Sequence, residues 1–477
     1  MGVKLERSHG AAAPAAGRDG RWWRGRKVAL VGMGVSNRAL ARFLVSAGAQ
    51  VVGFDVKPAH ELGSVASEMA ALGVPLVTGP RYLEGIGDAF DAVFLSPGVD
   101  RRQPRLADMA ERRPGCVSTE MALFFRLCPA PIIGVTGSSG KTTTTTMIGR
   151  ILERGRRPVW VGGNIGTPLI DRVHQMDEGH WAVVELSSFQ LEWLQESPHI
   201  AVMTNFSPNH LDVHPSLDAY RAAKGRIFAF QKPSDWAVYN ADDPETARLA
   251  ARGSGAAFPF SRRRTLDKGA FLDGQRLVVR GCDGAQHLVL DVRELQVPGR
   301  HNVENALAAA AVGYLCGIAP EAIGEALRTF RGVPHRLEWV RTVDGVRYVN
   351  DSIATSPARA AAGLRAFDAP IVLIAGGYDK KLPFDPLVEA VAGARMRAVI
   401  LLGATADAIA EALNRLGPDR RPPIYRVSSL AEAVERAHRV ARRGDVVLLS
   451  PACASYDMFP NFEVRGETFR RLVAELA

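Results

Sequence analysis

Short apolar runs alternate with amphipathic stretches along most of this chain, and the alternation predicts strands interleaved with helices. Residues 27–31 (KVALV), 50–54 (QVVGF) and 92–95 (AVFL) read as strands, with a helix expected over 39–48. A second series follows at 131–135 (PIIGV), 181–184 (WAVV) and 200–203 (IAVM), with helices predicted over 143–154, 218–226 and 306–317. Between 256 and 297, short alternating runs broken by Gly and Asp predict a β-rich excursion. A third series lies at 371–374 (IVLI), 398–402 (AVILL) and 445–449 (DVVLL). Continuous apolar runs bounded by helices imply parallel sheets covered on both faces. The expected fold class is therefore α/β.

Length and composition refine that picture. A chain of 477 residues exceeds one ordinary core, and three domains are expected: 22–127, 128–332 and 333–477, preceded by a tail over 1–21 that reads as disordered. The first and last are expected to be Rossmann-like and the central one a P-loop-type parallel sheet. Apolar runs stay shorter than the ~18 residues a membrane span needs, so no membrane insertion is expected. The tail lacks the apolar segment of a secretory signal. Five cysteines without metal-site spacing point to a reducing cytoplasm and away from zinc. The net charge of +9 comes from dispersed Lys and Arg, which suits anionic small molecules and gives no reason to expect nucleic acid.

The strongest chemical signal is residues 134–143 (GVTGSSGKTT), a strand that ends in a glycine-rich turn before a helix. Gly137 and Gly140 let the turn curl around a polyphosphate, Lys141 supplies positive charge, and Thr142 offers a hydroxyl to Mg²⁺. Val135 stands where the usual pattern has its first glycine, so the turn is short. Glu185 follows the next strand at the place where a carboxylate would meet that Mg²⁺. His210, Asp212 and His214 have no standard zinc spacing. Ser216 is expected to cap the helix that carries Lys224, with Asp218 in its first turn. Spacing alone makes Lys224 an exposed helix lysine. Near the start, Gly32 and Gly34 give two glycines of a dinucleotide fingerprint, with Asn37 in the third place and Asp55 closing the second strand. An NAD site and a nucleotide-sugar diphosphate site both fit that geometry.

These motifs, taken with 162–166 (GGNIG), 185–191 (ELSSFQL), 299–302 (GRHN) with Asn305, His335 and Arg336, 350–352 (NDS) and 449–455 (LSPACAS), resemble the Mur ligase family. Its members are ATP-dependent amide-forming enzymes of peptidoglycan synthesis. The resemblance runs from Lys27 to the C-terminus and implies addition of D-glutamate to UDP-N-acetylmuramoyl-L-alanine through an acyl phosphate; L-glutamate is the alternative acceptor. It implies two Mg²⁺ sites, one held by Thr142 and Glu185, the other by His210 and a carbamate on Lys224. Lys141, Glu185, His210 and Lys224 form the implied catalytic set. ATP would be bound by Gly137, Ser138, Ser139, Gly140, Lys141, Thr142 and Thr143, and by Asn302, Asn305, Arg336 and Asp351. The UDP substrate would meet Val35, Ser36, Asp55, Gly98, Asn164, Ser187, Gln190 and His210. Glutamate would meet Thr355, Lys380, Ser455, Tyr456 and Phe462. Ile353 stands where some members have lysine, and Lys381 is the alternative to Lys380. A monomer is expected.

Overall fold

The computed structural model describes residues 21–208, 214–297, 299–379 and 382–476. The expected tail, His210 with Asp212, and Lys380 with Lys381 therefore lie outside the described residues, apart from Arg21 at the tail's end. The chain divides into two compact units, Met1–Phe330 and Arg331–Ala477.

The first unit begins with a five-stranded parallel sheet: β1 (Lys27–Val31), β2 (Gln50–Asp55), β3 (Leu76–Thr78), β4 (Ala92–Leu95) and β5 (Val117–Ser118), in the order β3-β2-β1-β4-β5. The order reverses between β1 and β4, which opens a crevice at their carboxyl ends, where such sheets bind ligands. A six-stranded parallel sheet follows: β6 (Ile132–Thr136), β7 (Val159–Gly163), β8 (Trp181–Glu185), β9 (Ile200–Met203), β10 (Trp236–Tyr239) and β11 (Ala256–Ala257), ordered β11-β10-β9-β6-β8-β7. All five residues of β6 are buried, because this strand lies between β8 and β9 with both faces covered. The β-rich excursion is a small sheet of β12 (Phe260–Ser261), β13 (Gly269–Asp273), β14 (Arg276–Arg280) and β15 (Gln286–Asp291), in that order.

No break in packing separates the first two sheets. One apolar cluster includes Trp23, Leu30, Leu40 and Leu123 together with Leu186, Ala201 and Phe228. Arg42, on the helix after β1, pairs with Asp171 at 2.8 Å.

The second unit is a six-stranded sheet of β16 (Glu338–Val343), β17 (Val346–Asn350), β18 (Ile371–Gly376), β19 (Met396–Leu402), β20 (Ile424–Arg426) and β21 (Val446–Leu449), ordered β16-β17-β21-β18-β19-β20. Only the β16–β17 pair is antiparallel. Separate apolar clusters cover its faces, one around Leu373, Val399 and Leu448, the other around Tyr348, Ile400 and Phe469.

Helix starts differ most from the sequence reading. The helices expected from 39, 143 and 306 begin earlier, as Val35–Ser46, Lys141–Leu152 and Arg300–Leu315. Each follows a glycine at the N-cap, and the polar residues of the first turn carry no apolar period to announce it. The helix expected over 218–226 spans Leu217–Ala229, and the Ser216 side chain caps it by accepting from the Ala219 amide at 3.1 Å.

Candidate active site

The turn from Gly137 to Gly140 sits between β6 and the helix Lys141–Leu152, in the centre of the second sheet. Gly140 is left-handed, with φ +78°, and a Cβ there would strike the Asn305 side chain. At Gly137, φ is +151° and a Cβ would strike the Thr204 hydroxyl. Both positions need glycine, since side chains avoid these angles and the space is filled. Gly140 gives the helix no side-chain cap and its first turn holds no acid, so its positive end is suited to an anion. Lys141 Nζ donates to the Gly137 carbonyl at 3.1 Å.

Residues just after β9 brace this turn, and the sequence reading missed them. Thr204 donates its hydroxyl to the Ser139 carbonyl at 2.6 Å, and the Asn205 side chain accepts from the Ser139 amide at 2.9 Å. The Ser138 amide donates to the Asn205 carbonyl at 3.0 Å. The amides of Ser138 and Ser139 thus face Asn205. On the other side, Asn305 accepts from the Thr144 hydroxyl at 3.2 Å and donates to Asn302 at 3.1 Å, which brings both asparagines to the helix start.

Glu185 ends β8 and is buried. Its Oε1 accepts from Asn164 at 2.8 Å, while its buried Oε2 has no hydrogen-bond partner. A carboxylate oxygen left bare in a polar pocket is a costly arrangement that a hard cation would relieve. Thr142 and Glu185 therefore fit a Mg²⁺ ion. Asn164 is held just after β7 by its backbone amide, which donates to the Glu185 carbonyl at 2.9 Å. Ser187 and Gln190 cap one another: the Gln190 Oε1 accepts from the Ser187 amide at 3.0 Å, and the Ser187 Oγ accepts from the Gln190 amide at 3.3 Å.

Lys224 is not on the surface, as its spacing alone implied; it is 2% exposed. Its Nζ donates to the Gly137 carbonyl at 2.8 Å and lies 5.0 Å from the centre of the Tyr220 ring. Burial, and then the charge of Lys141, hold the amine well below the usual lysine range, with Glu185 opposing. His214 is also buried; its ring stacks on Phe189 and its Nε2 meets the Ser188 hydroxyl at 2.9 Å. Among the described residues no cluster of three or more His, Cys, Asp or Glu is arranged to hold a metal.

In the first sheet, the Asp55 carboxylate accepts from the amides of Met33 and Lys57 at 2.8 and 2.9 Å, which fixes the turn after β1. Asn37, in the third glycine's place, is fully buried and donates to the carbonyls of Val31, Gly32 and Phe94 at 3.0, 2.9 and 3.3 Å. The amide side chain ties β1 to β4, a task a glycine would leave undone. Val35 and Ser36 open the following helix, and Gly98 is exposed in the loop after β4.

In the second unit, Asp351 follows β17. Its carboxylate accepts from the Ser450 hydroxyl at 2.8 Å and the Leu337 amide at 3.2 Å, and burial raises its pKa to about 6. The charge of Arg336, the residue before Leu337, opposes that rise. Arg465, unmentioned by any motif, is buried and donates to the carbonyls of Ser352, Cys453 and Ala454 at 2.9, 3.2 and 3.1 Å. It binds the loop after β21, which carries buried Ser455 and exposed Tyr456, to the segment leading to Thr355. Phe462 begins the last helix and its carbonyl accepts from Ser352 at 2.8 Å.

A short phosphate turn, a bare acidic oxygen and a buried lysine beside that turn, with a second α/β unit following in the chain, fit an ATP-using ligase. Residues 135–313 match the Mur ligase middle domain and residues 335–453 the Mur ligase glutamate ligase domain. The chain belongs to the Mur ligase family. A relative from Symbiobacterium thermophilum, named "UDP-N-acetylmuramoylalanine--D-glutamate ligase", is 49% identical over 94% of this chain and 98% of its own. A protein of the same name from Clostridium novyi is 44% identical, over 95% and 97%. Among solved structures, UDP-N-acetylmuramate-alanine ligase MurC from Thermotoga maritima has the same fold, with TM-score 0.55 and 22% identity over 94% of this chain and 99% of its own.

Proposed function

We propose that this protein joins D-glutamate to the L-alanyl carboxylate of UDP-N-acetylmuramoyl-L-alanine, with conversion of ATP to ADP and phosphate, in the supply of cytoplasmic peptidoglycan precursors. The observation that carries this reading is the near-complete alignment, at up to 49% identity, with relatives named for that reaction. The phosphate turn, Glu185 and Lys224 supply the chemistry the name requires.

A free carboxylate does not acylate an amine in water, so it must first be activated. The γ-phosphoryl group moves from ATP to the alanyl carboxylate; the glutamate amine then attacks the acyl carbon, phosphate leaves, and the amine's proton passes to solvent. Lys141 and the start of its helix offset negative charge on the moving phosphoryl group, which is mostly a matter of electrostatics and placement. Bound Mg²⁺, held by Thr142 and Glu185 at one site and by His210 and modified Lys224 at another, would neutralise phosphate oxygens.

Lys224 enters this scheme as a carbamate. Burial lowers the amine's pKa and so favours the neutral form, which adds to the carbon of CO₂ with release of one proton to solvent. A group that burial and Lys141 disfavour as a cation thereby becomes an oxygen-rich anion, which the Lys141 charge attracts. Asn302 and Asn305 are proposed nucleotide contacts of the first unit, and Arg336 and Asp351 of the second. The crevice between β1 and β4, with Val35, Ser36, Asp55 and Gly98, is proposed to take the UDP group, while Asn164, Ser187 and Gln190 serve the sugar and peptide. Thr355, Ser455, Tyr456, Phe462 and Lys380 are proposed for glutamate. The protein is proposed to act as a monomer; among the described residues no helix is long and apolar enough to cross a membrane.

The test is phosphate release from ATP with D-glutamate, L-glutamate or diaminopimelate as acceptor, each with and without UDP-N-acetylmuramoyl-L-alanine. Release only with D-glutamate and the UDP substrate is expected. Equal turnover without the UDP substrate would overturn the reading.

A further inference from the structure

The segment after β8 has a face that the chemistry above does not use. Glu192, just past the short helix Ser188–Leu191, has a side chain 20% exposed and set between Arg101 and His214. Its Oε2 faces Arg101 Nη2 at 3.5 Å, and its Oε1 faces His214 Nδ1 at 3.3 Å. Arg101 belongs to the loop after β4, three residues beyond Gly98, and its guanidinium lies over the Trp193 ring at 5.6 Å.

From His214 the contacts continue inward. Its ring lies 5.3 Å from that of Tyr220, whose hydroxyl meets Ser138 Oγ in the phosphate turn at 3.0 Å. One helical turn on from Tyr220 stands Lys224. Arg226, on the same helix, donates to the carbonyls of Leu191 and Leu194 at 3.1 and 3.0 Å, which fastens the lysine's helix to the segment bearing Glu192.

We propose that Glu192 is a positioning residue for the ligation: one carboxylate oxygen holds the loop after β4 and the other holds His214, so that the UDP-substrate end and the phosphate end of the site share a fixed register. This inference rests on the functional reading above. The Arg101 pair is half exposed and adds little to stability by itself. Its consequence lies in substrate use, because a loop left unfastened costs ordering when the substrate binds. A chain of contacts demonstrates coupling only when a cycle of variants measures it.

The experiment uses the full chain as wild type, Arg101→Gln, Glu192→Gln, Glu192→Ala and the Arg101→Gln/Glu192→Gln double variant. Steady-state kinetics are read for each substrate, with active enzyme titrated and melting temperature recorded. Arg101→Gln and Glu192→Gln should each raise KM for the UDP substrate about threefold to tenfold, and the double variant should add nothing to the larger single effect. Glu192→Gln keeps an acceptor for His214 and should retain kcat, whereas Glu192→Ala should lower it about tenfold. Additive KM changes, unchanged KM, or kcat losses that merely follow melting temperature would overturn the proposal. Absence of D-glutamate ligation by the wild type would instead defeat the functional reading.

Discussion

Lys224 shows what a single residue's surroundings add to its identity. On an amphipathic helix a lysine is ordinarily solvated; its burial here depends on Tyr220, one helical turn back, and on the Gly137 carbonyl, 87 residues away, which local pattern does not reveal. The family resemblance singled it out where periodicity could not. Lys224→Arg should lose more than about 100-fold in kcat while circular dichroism keeps the wild-type spectrum, because a guanidinium cannot form a carbamate. An active arginine variant would exclude the carbamate. Asp351 gives a second test. Its pKa of about 6 lies above the 3.8 of an ordinary aspartate, so the folded state binds the proton more tightly. The sign follows: the contribution is fully present below pH 3.8 and is lost as pH rises through 6, leaving a buried charge that destabilises the fold at neutral pH. Asp351→Asn should therefore raise stability at pH 7.5 by about 2 kcal/mol, with the gain shrinking toward pH 4, as read by urea unfolding across pH. ATP turnover should fall in the same variant. A gain in stability that does not change with pH would contradict this assignment.

Among the elements, strands were the more legible. Those at 27–31, 92–95 and 200–203 stand where the apolar runs placed them, since a buried parallel strand is apolar along its whole length. Helix starts were hidden because those at Val35, Lys141 and Arg300 follow a glycine N-cap and open on mostly polar turns, which leave no apolar period to mark them. The braces were hidden for another reason. Thr204 and Asn205 reach the phosphate turn across more than sixty residues, and Arg465 reaches Ser352 across more than a hundred, distances at which local pattern carries no information. The brace on the turn makes Gly137→Ala informative. The new methyl group displaces the Thr204 hydroxyl and strains the backbone, so stability should fall by about 1–3 kcal/mol in urea titrations. The KM for ATP should rise while that for glutamate stays unchanged. An unaltered KM for ATP would mean that the turn's shape does not set nucleotide binding.

At the scale of the molecule, contacts divide the chain into two compact units, and the first of them holds the two sheets expected of the first two domains. The apolar cluster running from Trp23 to Ala250 includes Leu127, Ala130 and Ile132, on both sides of the boundary expected after residue 127. A shared core is invisible to a reading that moves along the chain, because a boundary is a property of contacts and not of order. Scanning calorimetry of the full chain should show two transitions. Leu123→Ala should move one of them and Leu373→Ala the other, each by the equivalent of about 2–5 kcal/mol. A single transition displaced by both variants would refute the division. The continuous core also governs how such enzymes can be recombined. A hybrid that takes residues up to Leu127 from one relative and the rest from another must match two halves of one jigsaw, whereas a crossover at Phe330 leaves each interior with a single parent. Exchange of the second unit thus leaves both interiors intact, while exchange of the first sheet alone demands compensating changes on both sides of the seam.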